Sequence, residues 1–199
     1  MHINFLAHAH LAYLTDTSIT GNLLGDFVKG SDLSHLPADW QQGIRLHRAI
    51  DTYTDNHDLV QGLKVELGDM RRYGGIVLDI LFDHILAKNF AHLPVSEASG
   101  DLDLPSFSAL VYTDFEHQSH LHPSNFRLIS QRMADMDWLT SYQYEDVLER
   151  VLESTSQRIS SKPQLHKILP WYQQRQQHVD SVCLDFYSQL MDYTQQQHS

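Results

Sequence analysis

Apolar residues recur along this chain at intervals of three and four, and sustained alternation of apolar and polar residues is hard to find. The first pattern is typical of helices that bury one face, and the second is typical of strands. The sequence therefore predicts an all-α protein, a single-domain helical bundle of about eight to nine helices. We place these helices at residues 3–14, 18–29, 37–55, 57–67, 70–92, 104–120, 123–141, 143–160 and 164–196.

Residues that commonly end or begin helices support several of these boundaries. Gly30 suits a helix end, and Pro37 suits a first helical turn. The segment from His92 to Pro105 contains proline, glycine and acidic residues and predicts a loop. At 199 residues the chain fits one domain. We therefore expect a single domain, with the chemistry-bearing core at residues 1–92 and supporting helices at 104–196.

Charge and composition narrow the function classes. The chain carries 14 lysines and arginines against 25 aspartates and glutamates, a formal charge of −11. Because phosphate backbones attract positive surfaces, nucleic acid is not an expected partner.

No segment approaches the roughly 18 apolar residues of a membrane helix, and the amino terminus lacks the features of a secretory signal. We expect a cytoplasmic protein that does not bind membranes. Fourteen histidines are many, and imidazole is a common metal ligand.

One candidate site lies in the predicted helix that contains "GIRLHRAIDTYTDNH", residues 43–57. His47, Asp51 and Asp55 follow one another at intervals of four, which places them on one side of a helix. A metal site is one interpretation of this spacing. The other is a solvated face, in which Asp51 pairs with Arg48 and Asp55 caps the next helix. Spacing alone leaves the two interpretations evenly balanced.

A second candidate lies in "DILFDHILAKNF", residues 79–90. Asp79, Asp83 and His84 fall within a strongly apolar run, so this helix is expected to be buried. Burial of a carboxylate costs several kcal/mol unless a cation or hydrogen-bond donors compensate. A divalent metal ion would compensate both aspartates. The alternative is hydrogen bonds to them from nearby arginines, namely Arg45, Arg48, Arg71 or Arg72.

Other polar residues in apolar surroundings are weaker candidates on their own. His8 and His10 are two positions apart and cannot face one point from a regular helix, so buried structural histidines are the commoner explanation. Asp26 lies among leucine, phenylalanine and valine, where an unpaired carboxylate would be costly, so either Asn22 and Lys29 satisfy it or a metal ion does. No glycine-rich phosphate loop and no G-x-S-x-G segment is found, which disfavours nucleotide-fold and covalent acyl chemistry.

Four segments in this order, "NFLAHAHLAYL", "TGNLLGDFVKG", "GIRLHRAIDTYTDNH" and "DILFDHILAKNF", resemble the acyl carrier protein phosphodiesterases, also called acyl carrier protein hydrolases. The resemblance is clear over residues 3–92 and sparser beyond them. It implies a bacterial cytoplasmic enzyme that removes the 4′-phosphopantetheine arm from holo acyl carrier protein and restores the serine hydroxyl. The family looks like a distorted member of the HD phosphohydrolases, which are helical and metal-dependent. The adjacent pair in this chain, Asp83-His84, is reversed relative to the usual His-Asp order.

The resemblance also assigns roles to the candidate residues. It implies metal ligands at His47, Asp51, Asp83 and His84, with His8, His10 and Asp55 as second choices. Asp26 is the expected catalytic residue, which orients the water or completes the coordination sphere. Mixed imidazole and carboxylate ligands suit manganese, iron or zinc better than calcium, and the resemblance points to manganese with magnesium as a substitute.

The expected partner is holo acyl carrier protein, which is acidic, so local positive charge must offset the chain's own −11. We predict a basic rim formed by several of Lys29, Arg45, Arg48, Arg71, Arg72 and Lys88. Two other interpretations stay open: an HD-like phosphohydrolase that acts on a nucleotide or other small phosphoester, and a non-catalytic helical binding module. The oligomeric state is also open.

Overall fold

The computed structural model describes residues 4–94 and 102–198, and every regular element within these residues is helical. The prediction of an all-α protein is thereby confirmed. The helices are α1 Phe5–Leu14, α2 Ile19–Leu23, α3 Ala38–Asn56, α4 Asp58–Glu66, α5 Gly74–Asn89, α6 Leu104–Glu116, α7 Ser124–Asp135, α8 Trp138–Ser141, α9 Glu145–Arg158 and α10 Leu169–His198. Short 3-10 turns connect or extend them at Leu24–Asp26, Gly68–Tyr73, Phe90–His92, Ser119–Leu121 and Leu165–Ile168.

The helix boundaries differ from the predicted ones where tertiary contacts intervene. The predicted helix 18–29 is an α-helix only to Leu23 and then tightens into a 3-10 turn. The predicted helix 123–141 is two helices, because Asp137 adopts a left-handed backbone conformation with φ of 44°. Residue 3 of the first predicted helix and residues 95–101 of the predicted loop lie outside the described residues.

Two apolar helices, α1 and α5, form the centre of the fold. Every residue from Phe5 to Ala12 is buried, as is every residue from Val77 to Ala87. A helix that is apolar all round must be covered on all sides. Accordingly, α1 packs against α2, α3, α5 and α10, while α5 also packs against α4 and α9.

The outer helices bury one face each. The 30-residue α10 is about 45 Å long at 1.5 Å per residue, and it contacts α1, α3, α4 and α5. Its buried stripe includes Val179, Cys183, Phe186 and Leu190. No helix in the described parts of the chain combines the length and apolarity that crossing a lipid bilayer requires.

The contact between α2 and α3 depends on two glycines. A Cβ atom on Gly43 would lie 2.5 Å from the backbone nitrogen of Asn22, and one on Gly21 would lie 2.7 Å from the Cα of Trp40. Real Cβ atoms do not approach backbone so closely, so only glycine permits this separation of the two helices. The contact sets the position of α2, which is too short to be stable alone.

We predict that Gly43→Ala destabilises the protein by about 2 kcal/mol or more, because the new methyl group must push α2 away from α3. Gly62→Ala, in the exposed helix α4 with no atom within 4 Å of the new Cβ, is the matched control. It should raise the free energy of unfolding by roughly 0.5–1 kcal/mol, because alanine has a higher helix propensity than glycine. Urea unfolding measures both changes. Equal effects of the two substitutions would contradict the close α2–α3 contact.

Candidate metal centre

Helices α1 and α3 bring three potential metal ligands together. Among the described residues, His8, His47 and Asp51 are the one group of three or more such side chains whose ligand atoms all lie within 4.8 Å of one another. Nε2 of His8 lies 3.3 Å from Oδ1 of Asp51, and Nε2 of His47 lies 3.2 Å from Oδ2 of the same carboxylate. We call these three residues the triad.

The two imidazoles of the triad are buried, and its carboxylate reaches solvent. The rings of His8 and His47 stack with centroids 4.2 Å apart and an interplanar angle of 27°. Both histidines are nearly inaccessible, whereas the Asp51 side chain keeps 24% of its exposure. The triad therefore lies at the edge of the core, with Asp51 on the solvent side.

Residues from α2 and its following turn surround the triad. Asn22 Oδ1 lies 2.9 Å from Nδ1 of His8. A Cβ atom on Gly25 would lie 2.2 Å from the His47 ring, so the absence of a side chain there makes room for the imidazole. Oδ1 of Asp26 is 3.9 Å from Nε2 of His47. The structure thus brings Asp26, the expected catalytic residue, next to the triad.

The charges of the triad are strongly coupled. Burial lowers the pKa of His47, and the neighbouring His8 lowers it further. Burial also opposes charge on His8, but Asp51 and Asn22 outweigh it and the pKa of His8 is raised. Although burial acts to raise the pKa of Asp51, the two adjacent imidazoles hold it well below its usual range. The carboxylate is therefore ionised and faces two imidazole edges.

This donor set fits a divalent cation. Nε2 of His8 is buried without a hydrogen-bond partner, although it is within ion-pair distance of Asp51. A short distance without hydrogen-bond alignment is the arrangement expected when both atoms are directed at a third partner. Imidazole and carboxylate together suit transition metals such as manganese, iron and zinc. Three protein ligands leave coordination positions for water or substrate.

Asp83 and His84, ligands implied by the resemblance, are not in the group of converging ligand atoms. The two Asp83 oxygens each accept a hydrogen bond of 3.0 Å, from the backbone N–H groups of Leu6 and Ala7. These groups lie in the first turn of α1, where helix geometry leaves N–H donors unpaired and favours a negative charge. His84 Nδ1 lies 2.7 Å from the carbonyl oxygen of Tyr142. Asp83 therefore caps α1, and its donors are backbone groups in place of the arginines considered from the sequence.

The two remaining second-choice ligands have other partners. His10 lies on α1 but contacts Tyr187 Oη at 2.7 Å and the Pro94 carbonyl oxygen at 2.9 Å, so both ring nitrogens are engaged. Asp55 is exposed and pairs with Lys64 at 3.1 Å. Neither side chain belongs to the triad.

The six predicted rim residues belong to four segments of the chain. Lys29 and Arg45 are exposed beside the segments that carry Asp26 and His47. Arg48 is partly buried and donates to the carbonyl oxygens of Val28 and Gly30 at 3.1 and 2.8 Å, so it anchors the loop that carries Lys29.

The other three rim residues lie on elements that carry no residue of the triad. Arg71 and Arg72 are in the Gly68–Tyr73 turn, which packs against Leu165–Ile168. Lys88 is exposed in the last turn of α5. Of the rim residues on segments that carry Asp26 or His47, Lys29 and Arg45 are exposed, whereas Arg48 is partly buried and donates to backbone carbonyl oxygens.

Comparison with known proteins gives the family. The family model described as acyl carrier protein phosphodiesterase matches residues 3–190. The chain belongs to this family. The sequence-based prediction of an acyl carrier protein phosphodiesterase, and thus of an enzyme of the phosphodiesterase class, is confirmed. Its relation to the HD phosphohydrolases stays a prediction.

Individual members of the family match over almost their whole length. The acyl carrier protein phosphodiesterase of Enterobacter sp. (strain 638) is 33% identical over 95% of this chain and 96% of its own. That of Klebsiella pneumoniae (strain 342) is 34% identical over the same shares. That of Photorhabdus laumondii is 33% identical over 96% of this chain and 94% of its own. No solved structure matches the chain.

The burial of Asp83 predicts how the stability of the protein depends on pH. Burial raises the pKa of Asp83 to about 7, although the two backbone N–H groups act in the opposite direction. The folded state therefore binds more protons than the unfolded state between about pH 4 and pH 7, and stability falls as the pH rises through this range. The Asp83→Asn variant has no ionisable group at this position, so this contribution to the pH dependence is absent from it.

In metal-free buffer, the unfolding free energy of the wild type should therefore fall relative to Asp83→Asn by up to about 4 kcal/mol between pH 4 and pH 7, since one pKa unit corresponds to about 1.4 kcal/mol. Urea unfolding at several pH values gives this difference. A difference that is constant over the range would contradict the raised pKa.

Proposed function

We propose that this chain hydrolyses the phosphodiester between 4′-phosphopantetheine and a serine of holo acyl carrier protein, with a divalent cation held by His8, His47 and Asp51. Water is consumed, the bond between phosphorus and the serine oxygen breaks, and apo carrier protein and 4′-phosphopantetheine are released. Membership of the family supports the reaction. The convergence of the triad is the observation that carries the choice of ligands.

The ligand chemistry supports a transition metal. Two imidazoles and one carboxylate suit manganese, iron or zinc, and the family resemblance favours Mn²⁺ with Mg²⁺ as a substitute. When bound, such a cation supplies water activation, neutralises the phosphoryl oxygens and stabilises the departing serine oxygen. We leave Asp83 and His84 out of the ligand set, because they are not in the group of converging ligand atoms found among the described residues, and both Asp83 oxygens already accept hydrogen bonds from backbone N–H groups.

Asp26 is the residue that we propose to act on the attacking water. Its carboxylate lies 3.9 Å from His47 Nε2 and is partly exposed, so it borders both the triad and solvent. A carboxylate in this position accepts a hydrogen bond from water and orients it toward phosphorus. The 3-10 turn Leu24–Asp26 holds the carboxylate there, and Gly25 lets that turn approach the His47 ring.

The proposed docking surface begins with Lys29 and Arg45. Both are exposed, and each is joined through a few residues to a site residue, Lys29 to Asp26 and Arg45 to His47. Because Arg48 anchors the loop on either side of Lys29, the Lys29 backbone is held in place. A phosphodiester at the serine of the carrier protein must come close to the cation, so an acidic partner would meet these two cations beside the site.

A mass-spectrometric assay tests the proposal. Purified protein is incubated with holo acyl carrier protein, with Mn²⁺ or after removal of metal by a chelator. We expect the carrier protein to lose the mass of the phosphopantetheine arm only when metal is present. Hydrolysis of a small phosphodiester without loss of the arm would contradict the proposed substrate, and full activity after chelation would contradict the cation.

Asp51→Asn should lower Mn²⁺ affinity and the hydrolysis rate by roughly 100-fold or more, because it removes the negative ligand of the triad. Asp55→Asn is the matched control, one turn further along α3, where the carboxylate pairs with Lys64. It should leave the Mn²⁺ affinity and the hydrolysis rate within about twofold of wild type. Calorimetric titration with Mn²⁺ and the carrier-protein assay measure them. Equal losses in the two variants would remove Asp51 from the ligand set.

Charge reversal of Lys29 and Arg45 together should raise KM for holo acyl carrier protein about tenfold at low salt, equivalent to about 1.4 kcal/mol of binding. The value of kcat should change little, because neither residue contacts the triad. Arg150→Glu is the control, since Arg150 is exposed on α9 and pairs with Asp146 at the surface. An unchanged KM in the double variant would place the docking surface elsewhere.

A further inference from the structure

We propose that Asn22 is a positioning residue, which holds the His8 imidazole with its proton on Nδ1 and its Nε2 lone pair directed at the cation. This inference rests on the proposed function, because it concerns the cation of the same site. It assigns to the α2 segment a role in metal affinity that is separate from ligation.

The contact that supports this role is short and fully buried. Asn22 has no exposed surface, and its Oδ1 atom lies 2.9 Å from Nδ1 of His8. An amide oxygen can only accept a hydrogen bond, so Nδ1 of His8 must donate it. In a neutral imidazole the other nitrogen, Nε2, then carries the lone pair.

Nε2 of His8 faces the carboxylate of Asp51. The two atoms lie 3.3 Å apart, and Nε2 has no other partner. Without a cation, a proton on Nε2 pairs with the carboxylate, as the raised pKa of His8 indicates. A cation that replaces this proton meets lone pairs on both atoms, while Nδ1 keeps its own proton. The hydrogen bond from Nδ1 thus selects the nitrogen that faces the metal ion.

The backbone around Asn22 is itself held from two sides. At the start of α2, Asp114 of α6 accepts hydrogen bonds from both the backbone N–H and the hydroxyl of Thr20, at 2.8 and 2.7 Å. From α3, Gly43 comes so close that a Cβ atom on it would lie 2.5 Å from the backbone nitrogen of Asn22. A ligand supported by such a fixed partner loses little freedom when the cation binds.

The first experiment measures Mn²⁺ affinity by calorimetric titration of the full chain. Asn22→Leu keeps the side-chain size and removes the acceptor, and it should weaken Mn²⁺ binding about 10- to 100-fold. Asn22→Asp keeps an acceptor oxygen at the same position and should bind Mn²⁺ at least tenfold more tightly than Asn22→Leu. Asn89→Leu is the matched control: it makes the same exchange at a partly buried asparagine in the last turn of α5, where the side chain donates to the Ile85 carbonyl oxygen, and its affinity should stay within about threefold of wild type.

The outcomes separate this inference from the proposed function. If the wild type itself binds no Mn²⁺, the proposed cation fails. If the wild type binds Mn²⁺ and a folded Asn22→Leu variant binds it equally well, the proposed function stands and the role of Asn22 is overturned. An Asn22→Asp variant as weak as Asn22→Leu would also overturn it, because the acceptor oxygen would then not matter.

The second experiment needs no variant that alters Asn22. Nitrogen-15 NMR of histidine-labelled wild type, loaded with diamagnetic Zn²⁺, reports which ring nitrogen of His8 carries the proton, and His8→Gln identifies the signals. We expect a protonated Nδ1 and a metal-bound Nε2. A protonated Nε2 would show that the Asn22 amide faces His8 through its NH₂ group, and the inference would be wrong even if Zn²⁺ binds.

Discussion

The close contact between α2 and α3 is the constraint on which the candidate site depends. With no side chain at Gly21 or Gly43, the two backbones approach to a distance that any Cβ would prevent. This approach places Asn22 against His8 and the Leu24–Asp26 turn against His47. A helix of five residues has little stability of its own, so its position comes from packing and from its hydrogen bonds to Asp114.

The centre of the fold also has to accommodate charge, and it does so in two ways. Asp83 is fully buried between α1 and α5 and is compensated by backbone N–H groups at the start of α1. Asp51 is compensated by two imidazoles and stays in contact with solvent. In the first case every carboxylate oxygen has a hydrogen bond, which is a closed, structural arrangement. In the second case the lone pairs of the triad converge, and a cation held there would keep open coordination positions, as a metal centre that binds a substrate requires.

Much of the fold and part of the site followed from the sequence. The intervals of three and four predicted the helices, and the spacing of His47 and Asp51 predicted one side of the triad. The break after Leu23 was not predictable from local pattern, because the residues on both sides are apolar and the break is set by the approach of Gly25 to His47. Tertiary packing decides such details.

The predicted ligand set differs from the triad for physical reasons. The sequence showed that Asp83 is a buried carboxylate, but its partners are backbone N–H groups, which every residue except proline carries and which leave no signature in the sequence. His8 was only a second choice, because a spacing of two from His10 puts the histidines on different sides of α1 and does not tell which side holds the site. The polar Asn22, which is buried in α2, marks that side in the structure.

Anomalous diffraction at the manganese absorption edge, from crystals of the protein grown with Mn²⁺, is the most direct measurement of the central claim. The account predicts one strong peak in coordination distance of His8 Nε2, His47 and the Asp51 carboxylate. A peak at Asp83 and His84, or no peak at His8 and Asp51 at saturating Mn²⁺, would contradict it.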